Sequence, residues 1–345
     1  MKTCAFALLL VMPVACAAAP SPTQAPPPIT SAKSATARDP ALQAALAKVA
    51  AESDGIVAVT VQHLGNGTRA SLRGDVRLPM MSVFKLPLAI VALSLVETGA
   101  LKLEQDVPIA ESELRLGTVS PIADQWKDGA RSVTLETLIV RAIQDSDNTA
   151  GDKLVTLLGG GAAITTHLRK LGIVGVDVAE QEIEIFARAV CPGTPKPFGG
   201  WTMPAINACP TPTPADQLAA GQREIDHAPN GATTDALVEM LAAIDGGAIP
   251  RYRSWLRDTL AGTKTGAKRL KALLPPGTRV EHKTGTGEDP QGLNVATNDV
   301  GVLTLPDGQR VAIAVLTAGS RRVQAAREAT IARLAKVTWD RFVAQ

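Results

Sequence analysis

Strand-forming patterns lie near both ends of this chain, and helical ones fill the long stretch between them. Gly55–His63 and Thr68–Leu72 read as two strands, and Gly65-Asn66-Gly67 between them is a hairpin signal. Three further strand-like segments come much later: Thr278–Thr284, Asp299–Leu305 and Arg310–Thr317. Pro306-Asp307-Gly308 is the turn joining the last two. The economical solution is one antiparallel sheet assembled from both ends of the chain. Asp39-Pro40 is a good N-cap and first-turn pair for a helix to Ala51, and Arg321–Phe342 is an amphipathic helix. Both would cover that sheet. The expected fold class is therefore α+β, an α/β sandwich: an antiparallel five-stranded sheet with terminal helices plus an inserted all-α lobe. Residues 39–80 and 262–345 would form the α/β lobe, and residues 81–261 the helical one.

Within the inserted stretch, a helix is expected from Ser82 to Thr98, with Gly99 as its stop. Glu111 to Gly172 is mostly helical in pattern, broken between Gly117 and Gly129, with a turn at Gly159-Gly160-Gly161. Gly172 to Asp235 reads as irregular and is rich in proline and glycine, notably from Cys191 to Pro214. So long an irregular span points to function rather than plain connection. Helical patterns resume over Thr234–Ile244, Tyr252–Ala261 and Ala267–Leu274.

With 46% hydrophobic residues the chain can bury a large core, and its net charge of +2 is dispersed. No basic block or aromatic ladder points to nucleic acid. The four histidines show no metal-ligand spacing, so neither a metal nor another cofactor is expected. Residues 1–19 resemble a secretion signal: Lys2, an apolar core from Ala5 to Val14, then small residues to Ala19. That core is too short to span a bilayer. Val14-Ala15-Cys16 also resembles a lipoprotein box, but Pro13 stands where a leucine is usual, so simple cleavage is favoured over anchoring at Cys16. Residues 20–38, mostly Pro, Ser, Thr and Ala, read as a disordered linker. An exported chain meets oxidising conditions, so Cys191 and Cys209 are a candidate disulfide, with two free thiols as the alternative.

Chemistry-bearing residues cluster at three places. Ser82 and Lys85 sit one turn apart if Ser82 opens a helix, inside an apolar run that continues to Leu93. Serine is a weak nucleophile until a base takes its proton, and a part-buried lysine amine can do so. Asp145-Ser146-Asp147-Asn148 falls at a junction between helical patterns, where polar side chains can point into a cleft. His282-Lys283-Thr284-Gly285-Thr286-Gly287 begins on a strand: Lys283 offers fixed charge, Thr284 and Thr286 offer hydroxyls, and the glycines leave the backbone open to a ligand. Lys264-Thr265-Gly266 repeats three of those letters but lies off any strand pattern, and is set aside.

Ser-x-x-Lys, then Ser-Asp-Asn, then Lys-Thr-Gly, in that order, resembles the class A serine β-lactamases within the penicillin-interacting serine enzymes. The resemblance runs from about residue 40 to the C-terminus and is strongest at Ser82–Leu93, Ser146–Ala150 and Arg269–Gly287. Thr263–Gly287 looks most like the extended-spectrum branch with members in Bacteroides and Pseudomonas. It implies that Ser82 attacks the lactam carbonyl, with Lys85 beside it as base or relay. Ser146 would pass a proton to the leaving nitrogen, and Asn148 would bind the side-chain amide. Lys283, Thr284, Gly285 and Thr286 would form the carboxylate-binding strand, with Arg269 nearby. The backbone N–H groups of Ser82 and Thr286 would form the oxyanion hole. A glutamate should activate the deacylating water, and Glu182 fits the family register, with Glu180 and Glu184 as alternatives. Phe186 replaces the usual asparagine that helps hold that water. The segment after this loop is longer than in most relatives and contains both cysteines, which suggests a disulfide-pinned flap beside the cleft. Met81 and Gly287 stand where class A carbapenem-hydrolysing enzymes usually carry bridged cysteines, which argues against that branch. The implied protein is a periplasmic, monomeric enzyme acting on a small-molecule β-lactam. The alternatives are a D,D-peptidase and a penicillin-binding sensor that acylates without turnover.

Overall fold

The computed structural model describes residues 37–126, 131–194 and 196–344. The leader, Cys16 and the linker up to residue 36 lie outside them. The linker's last residues are not structureless: Arg38 bridges Arg69, and the Ala37 carbonyl accepts the Arg69 N–H at 2.8 Å.

The main sheet has five strands: β1 (Ile56–His63), β2 (Arg69–Leu72), β8 (Val280–Thr286), β9 (Thr297–Thr304) and β10 (Arg310–Ala318). Their spatial order is β2-β1-β10-β9-β8, each pair antiparallel. The N-terminal hairpin thus docks on the C-terminal strands through β1 and β10, with Ile56 opposite Ala318 and His63 opposite Val311. β10 is central, and its near-continuous apolar run, Val311 to Ala318, is buried on both faces. Helices α1 (Pro40–Ala51) and α12 (Gln324–Val343) cover one face, where Leu42, Leu46, Val59, Ile313, Leu334 and Phe342 form a core. Asp39 caps α1 by accepting the Leu42 N–H, and Pro40 fills its first turn.

The second core lies on the other face and centres on α2 (Lys85–Glu97). α2 is apolar all round, the pattern of a helix with no solvent face, and its residues from Lys85 to Ser94 are buried. Around it the chain adds α3 (Pro121–Gln125), α4 (Leu135–Val140), α5 (Asn148–Leu157), α6 (Gly161–Lys170), α10 (Thr234–Asp245) and α11 (Arg253–Ala261).

Three expectations need correction. The span from Gly172 to Asp235 is not irregular: it carries α7 (Glu182–Val190), α8 (Met203–Asn207) and α9 (Pro214–His227). Each has a start signal that the surrounding prolines obscure. Gln181 and Glu184 form a capping box for α7, Thr202 caps α8, and Thr213-Pro214 caps and opens α9. Conversely, Ala267–Leu274 is no α-helix but a run of turns with i to i+3 bonds such as Arg269 N–H to Gly266 and Ala272 N–H to Arg269. Tertiary bonds divert the stretch from a helix: the Leu270 N–H goes to Asp299 Oδ2 and the Arg269 side chain to the Gly285 carbonyl. Short strands also interrupt the helical part: β4 (Asp106–Ile109) pairs with β5 (Arg131–Thr134), and β3 (Leu78–Pro79) and β6 (Val176–Asp177) flank β7 (Gly231–Ala232).

Candidate functional site

Ser82 lies in a 3₁₀ turn, Met81–Phe84, that runs directly into α2 at Lys85. The turn begins with Met81 at φ +46°, a left-handed backbone rare outside glycine. It is tied to the sheet by Asn298 of β9, whose amide donates to the Pro79 and Met80 carbonyls at 2.8 and 3.1 Å. The same Asn298 accepts the Thr317 N–H of β10 at 3.0 Å. Gly285 of β8 abuts the turn so closely that a Cβ there would stand 2.3 Å from the Met80 carbonyl.

Lys85 is wholly buried, and its ammonium has three partners: Ser82 Oγ at 2.9 Å, the Ser146 carbonyl at 2.9 Å and Asn148 Oδ1 at 2.6 Å. α5 packs against its stem, and a Cβ on Gly151 would fall 2.6 Å from Lys85 Cε. Burial pushes the Lys85 amine below the usual lysine range, while the carboxylates of Glu182, Asp152 and Asp147 oppose the shift.

Ser146 ends a π-turn after α4 in the left-handed conformation, φ +59°. This twist lets one residue serve two lysines: its carbonyl accepts from Lys85, and its Oγ accepts from Lys283 Nζ at 2.9 Å. Asp147 does not enter the cleft. It caps α5 and accepts the Ile122 N–H at 2.7 Å and the Ser120 hydroxyl at 3.0 Å; burial raises its carboxyl. Lys283 projects from β8, is wholly buried, and is held well below the lysine range, first by burial and then by the nearby Lys85 charge.

Glu182 is the first residue of α7, and its Oε2 stands 3.7 Å from Lys85 Nζ. Burial raises its carboxyl above the carboxylate range, and the attraction of Lys85 opposes that. Neither neighbour shares this position. Glu180 is paired with Arg188, and Glu184 accepts the Gln181 and Gly199 N–H groups. The start of α7 is gripped by side chains. Asp152 of α5 accepts the Glu182 and Ile183 N–H groups at 2.5 and 3.2 Å and pairs with Arg115 at 2.6 Å. Asn230 accepts the Ala179 and Glu180 N–H groups and returns a bond to the Glu180 carbonyl.

Ser82, Ser146, Asn148, Glu182, Thr284, Thr286 and Arg269 line one cavity of about 430 Å³. Gly285 and Lys283 support it from β8. Arg269 is not a solvated surface charge: it is buried and donates to Thr286 Oγ1 at 2.7 Å and to the Gly285 carbonyl at 3.0 Å. The Thr265 set aside above lies off the strand but donates to, or accepts from, Thr284 Oγ1 at 2.6 Å in the same cavity wall. Phe186 lines this cavity and a neighbouring one of about 540 Å³ that shares Glu182 and Thr286. Cys191 and Cys209 are disulfide-bonded at the far end of α7, so the segment between them is pinned. Sequence reasoning missed Asp152, Arg115 and Asn230, which lie in no contiguous motif. It also missed Met203 of α8, which reaches the cavity from the disulfide-closed segment.

The five-stranded sheet and helical layer, with Ser82 and Ser146 facing one cavity and Lys85 and Lys283 buried behind them, match the fold of solved β-lactamases. A family model for the β-lactamase enzyme family matches residues 41–342. The chain belongs to that family, in its class A branch. It is similar to extended-spectrum β-lactamase PER-1 of Pseudomonas aeruginosa, 31% identical over 76% of this chain and 75% of the relative. It is 29% identical to β-lactamase VEB-1 of the same organism, over 83% and 85% of the two chains. A crystal structure of a β-lactamase from Chitinophaga pinensis superposes with a TM-score of 0.74 at 29% identity, covering 88% of this chain and 99% of that one.

Proposed function

We propose that the protein hydrolyses β-lactam antibiotics through an acyl-enzyme on Ser82. The observation that carries this reading is that buried Lys85 reaches both Ser82 and Glu182 at the wall of one cavity, with the Lys283–Ser146 pair beside them. Lys85, once neutral, takes the Ser82 proton as Oγ bonds to the lactam carbonyl carbon. The oxyanion formed is held by the Ser82 and Thr286 backbone N–H groups; one such donor is worth about 3–4 kcal/mol of barrier. As the lactam C–N bond breaks, Ser146 donates its proton to the leaving nitrogen and is reprotonated through Lys85 or Lys283. Glu182 then removes a proton from a water as it attacks the ester, and as the C–Oγ bond breaks that proton returns through Lys85 to Ser82 Oγ. Thr284, Thr286, Lys283 and Arg269 bind the substrate carboxylate, and Asn148 its side-chain amide. The lowered Lys85 amine and raised Glu182 carboxyl support these two base roles.

The proposal includes export through the segment at residues 1–19, a linker to residue 38, a two-lobed catalytic domain over 39–345, and action as a monomer in the periplasm. Among the described residues no helix is long and apolar enough to cross a membrane. The deciding experiment is steady-state turnover of a chromogenic cephalosporin. Many equivalents consumed support hydrolysis, and a single stoichiometric burst supports a D,D-peptidase or sensor instead. Ser82→Ala should abolish covalent labelling, and Glu182→Gln should trap the acyl-enzyme. Trapping by Glu180→Gln instead would move the base by two residues.

A further inference from the structure

We propose that Met203, delivered by the segment closed by the Cys191–Cys209 disulfide, is a specificity-determining residue that forms an apolar wall for the acyl side chain of the substrate. This rests on the reading of Ser82 as a β-lactam-acylated serine. The 430 Å³ cavity is chemically lopsided. Ser146, Thr284, Thr286 and Arg269 make the part against β8 polar, while Ile183, Phe186 and Met203 give the α7 side an apolar surface beside the Glu182 carboxyl. A β-lactam is lopsided in the same way. Its carboxylate sits on the ring fused to the lactam, and its acylamino group leaves from the opposite side of the four-membered ring. With the carboxylate on the polar part and the amide at Asn148, the acyl group faces the apolar part.

Met203 is held there by what precedes and follows it. Trp201 and Ile206 are 7% and 5% exposed and pack with Ile183, Ala187 and Cys191 of α7 and its C-cap. Lys196 lies over the Trp201 ring, 4.8 Å from its centroid. Thr202 caps α8 by accepting the Ala205 N–H, and Cys209 closes the segment onto Cys191. The backbone at residue 203 is thus fixed from both sides, while its half-buried side chain packs against this cluster and lines the cavity. A thioether on three rotatable bonds adapts to acyl groups of different shape. The class of substrate it favours carries an apolar or aromatic acyl group.

The test compares benzylpenicillin with 6-aminopenicillanic acid, the same nucleus without the acyl group. Second-order acylation rates are read by rapid quench on the full chain as covalent adduct plus ring-opened product released, so that hydrolysis of the adduct does not hide its formation. In Met203→Ala the ratio of the two rates should fall roughly fivefold or more, within the range for one lost apolar contact in a pocket. Met203→Leu, of similar volume, should keep the ratio within about twofold. An unchanged ratio in Met203→Ala, or a parallel fall for both compounds, overturns the inference. A fall in the ratio with adducts that never hydrolyse supports the wall while refuting the hydrolase reading. Absence of both adduct and ring-opened product with the unsubstituted protein overturns both.

Discussion

β8 and α7 both contribute to the cavity around Ser82, and they hold their working groups by different means. β8 is an inner layer of the fold: Val280 to Gly285 are buried, and the strand pairs residue by residue with β9 from Val280–Leu303 to Thr286–Thr297. Lys283 is therefore aimed by main-chain bonds that no side-chain substitution removes. α7 has no such partner strand. Its first residues hang on Asp152 and Asn230, and its end on a disulfide. The strand side has a geometry set by topology, whereas the helix side has one set by a few removable side chains. The proposed nucleophile and carboxylate binding lie with the first, and the proposed water activation and acyl-group wall lie with the second.

The strongest way to break this contrast is Asp152→Ala. It frees two α7 N–H groups and leaves Arg115 charged and buried, and removing one member of such a pair costs about 3–5 kcal/mol. Chemical denaturation should show that loss. Pre-steady-state kinetics should show deacylation slowed more than acylation. Equal slowing would mean that α7 is not seated independently of the Ser82 turn. Lys283→Ala tests the other wall. It should lower kcat/KM by about 100-fold or more, comparable to losing one electrostatic contact to the reacting group, with a far-ultraviolet spectrum unchanged because the strand pairing survives. Next in size is the disulfide. Replacing both Cys191 and Cys209 with serine opens an 18-residue separation and should cost up to about 3 kcal/mol in thermal or denaturant stability. Activity on substrates lacking an acyl group should change little.

The smallest effect concerns pH. The Glu182 carboxyl is raised above 4.5 by burial, and as a base it acts deprotonated. Where deacylation limits turnover, kcat should fall as pH drops through a value above 4.5 rather than below it. The stability sign is opposite. A raised folded value means that the native state binds the proton more tightly. Its contribution is thus present below 4.5 and lost as pH rises through the higher folded value. Glu182→Gln should then stabilise the fold at neutral pH, read as a higher melting temperature. A loss of stability would show the carboxylate to be a net brace for α7.

The sheet was legible because its strands are runs such as Ile56–His63 and Arg310–Ala318, each bounded by turn residues. The cluster of Ser82, Lys85, Ser146, Asn148 and Lys283 was legible because each short motif is contiguous in the chain and is related to a known order of motifs. The clamps on α7 were not legible. Asp152 and Glu182 are 30 residues apart and Asn230 and Glu180 are 50 apart, and a single sequence carries no trace of such pairings. α7 itself was hidden because Glu182-Ile183-Glu184-Ile185 alternates like a strand, yet its capping box and the burial of Ile183 and Ala187 make it helical. The turns at Ala267–Leu274 failed in the other direction: helical spacing was present, but the Leu270 N–H is taken by Asp299, a partner 29 residues away that the local pattern does not show.

Asn298 has a consequence for motion. By joining the Pro79 and Met80 carbonyls to β9 and the Thr317 amide of β10, it rivets the nucleophile's turn to the middle of the sheet. Any breathing of the helical layer must therefore pivot elsewhere and leave Ser82 behind with the strands. On the proposed mechanism, substrate entry would widen the gap on the Glu182 side, so that the attacking oxygen keeps its station while the hydrolytic machinery swings.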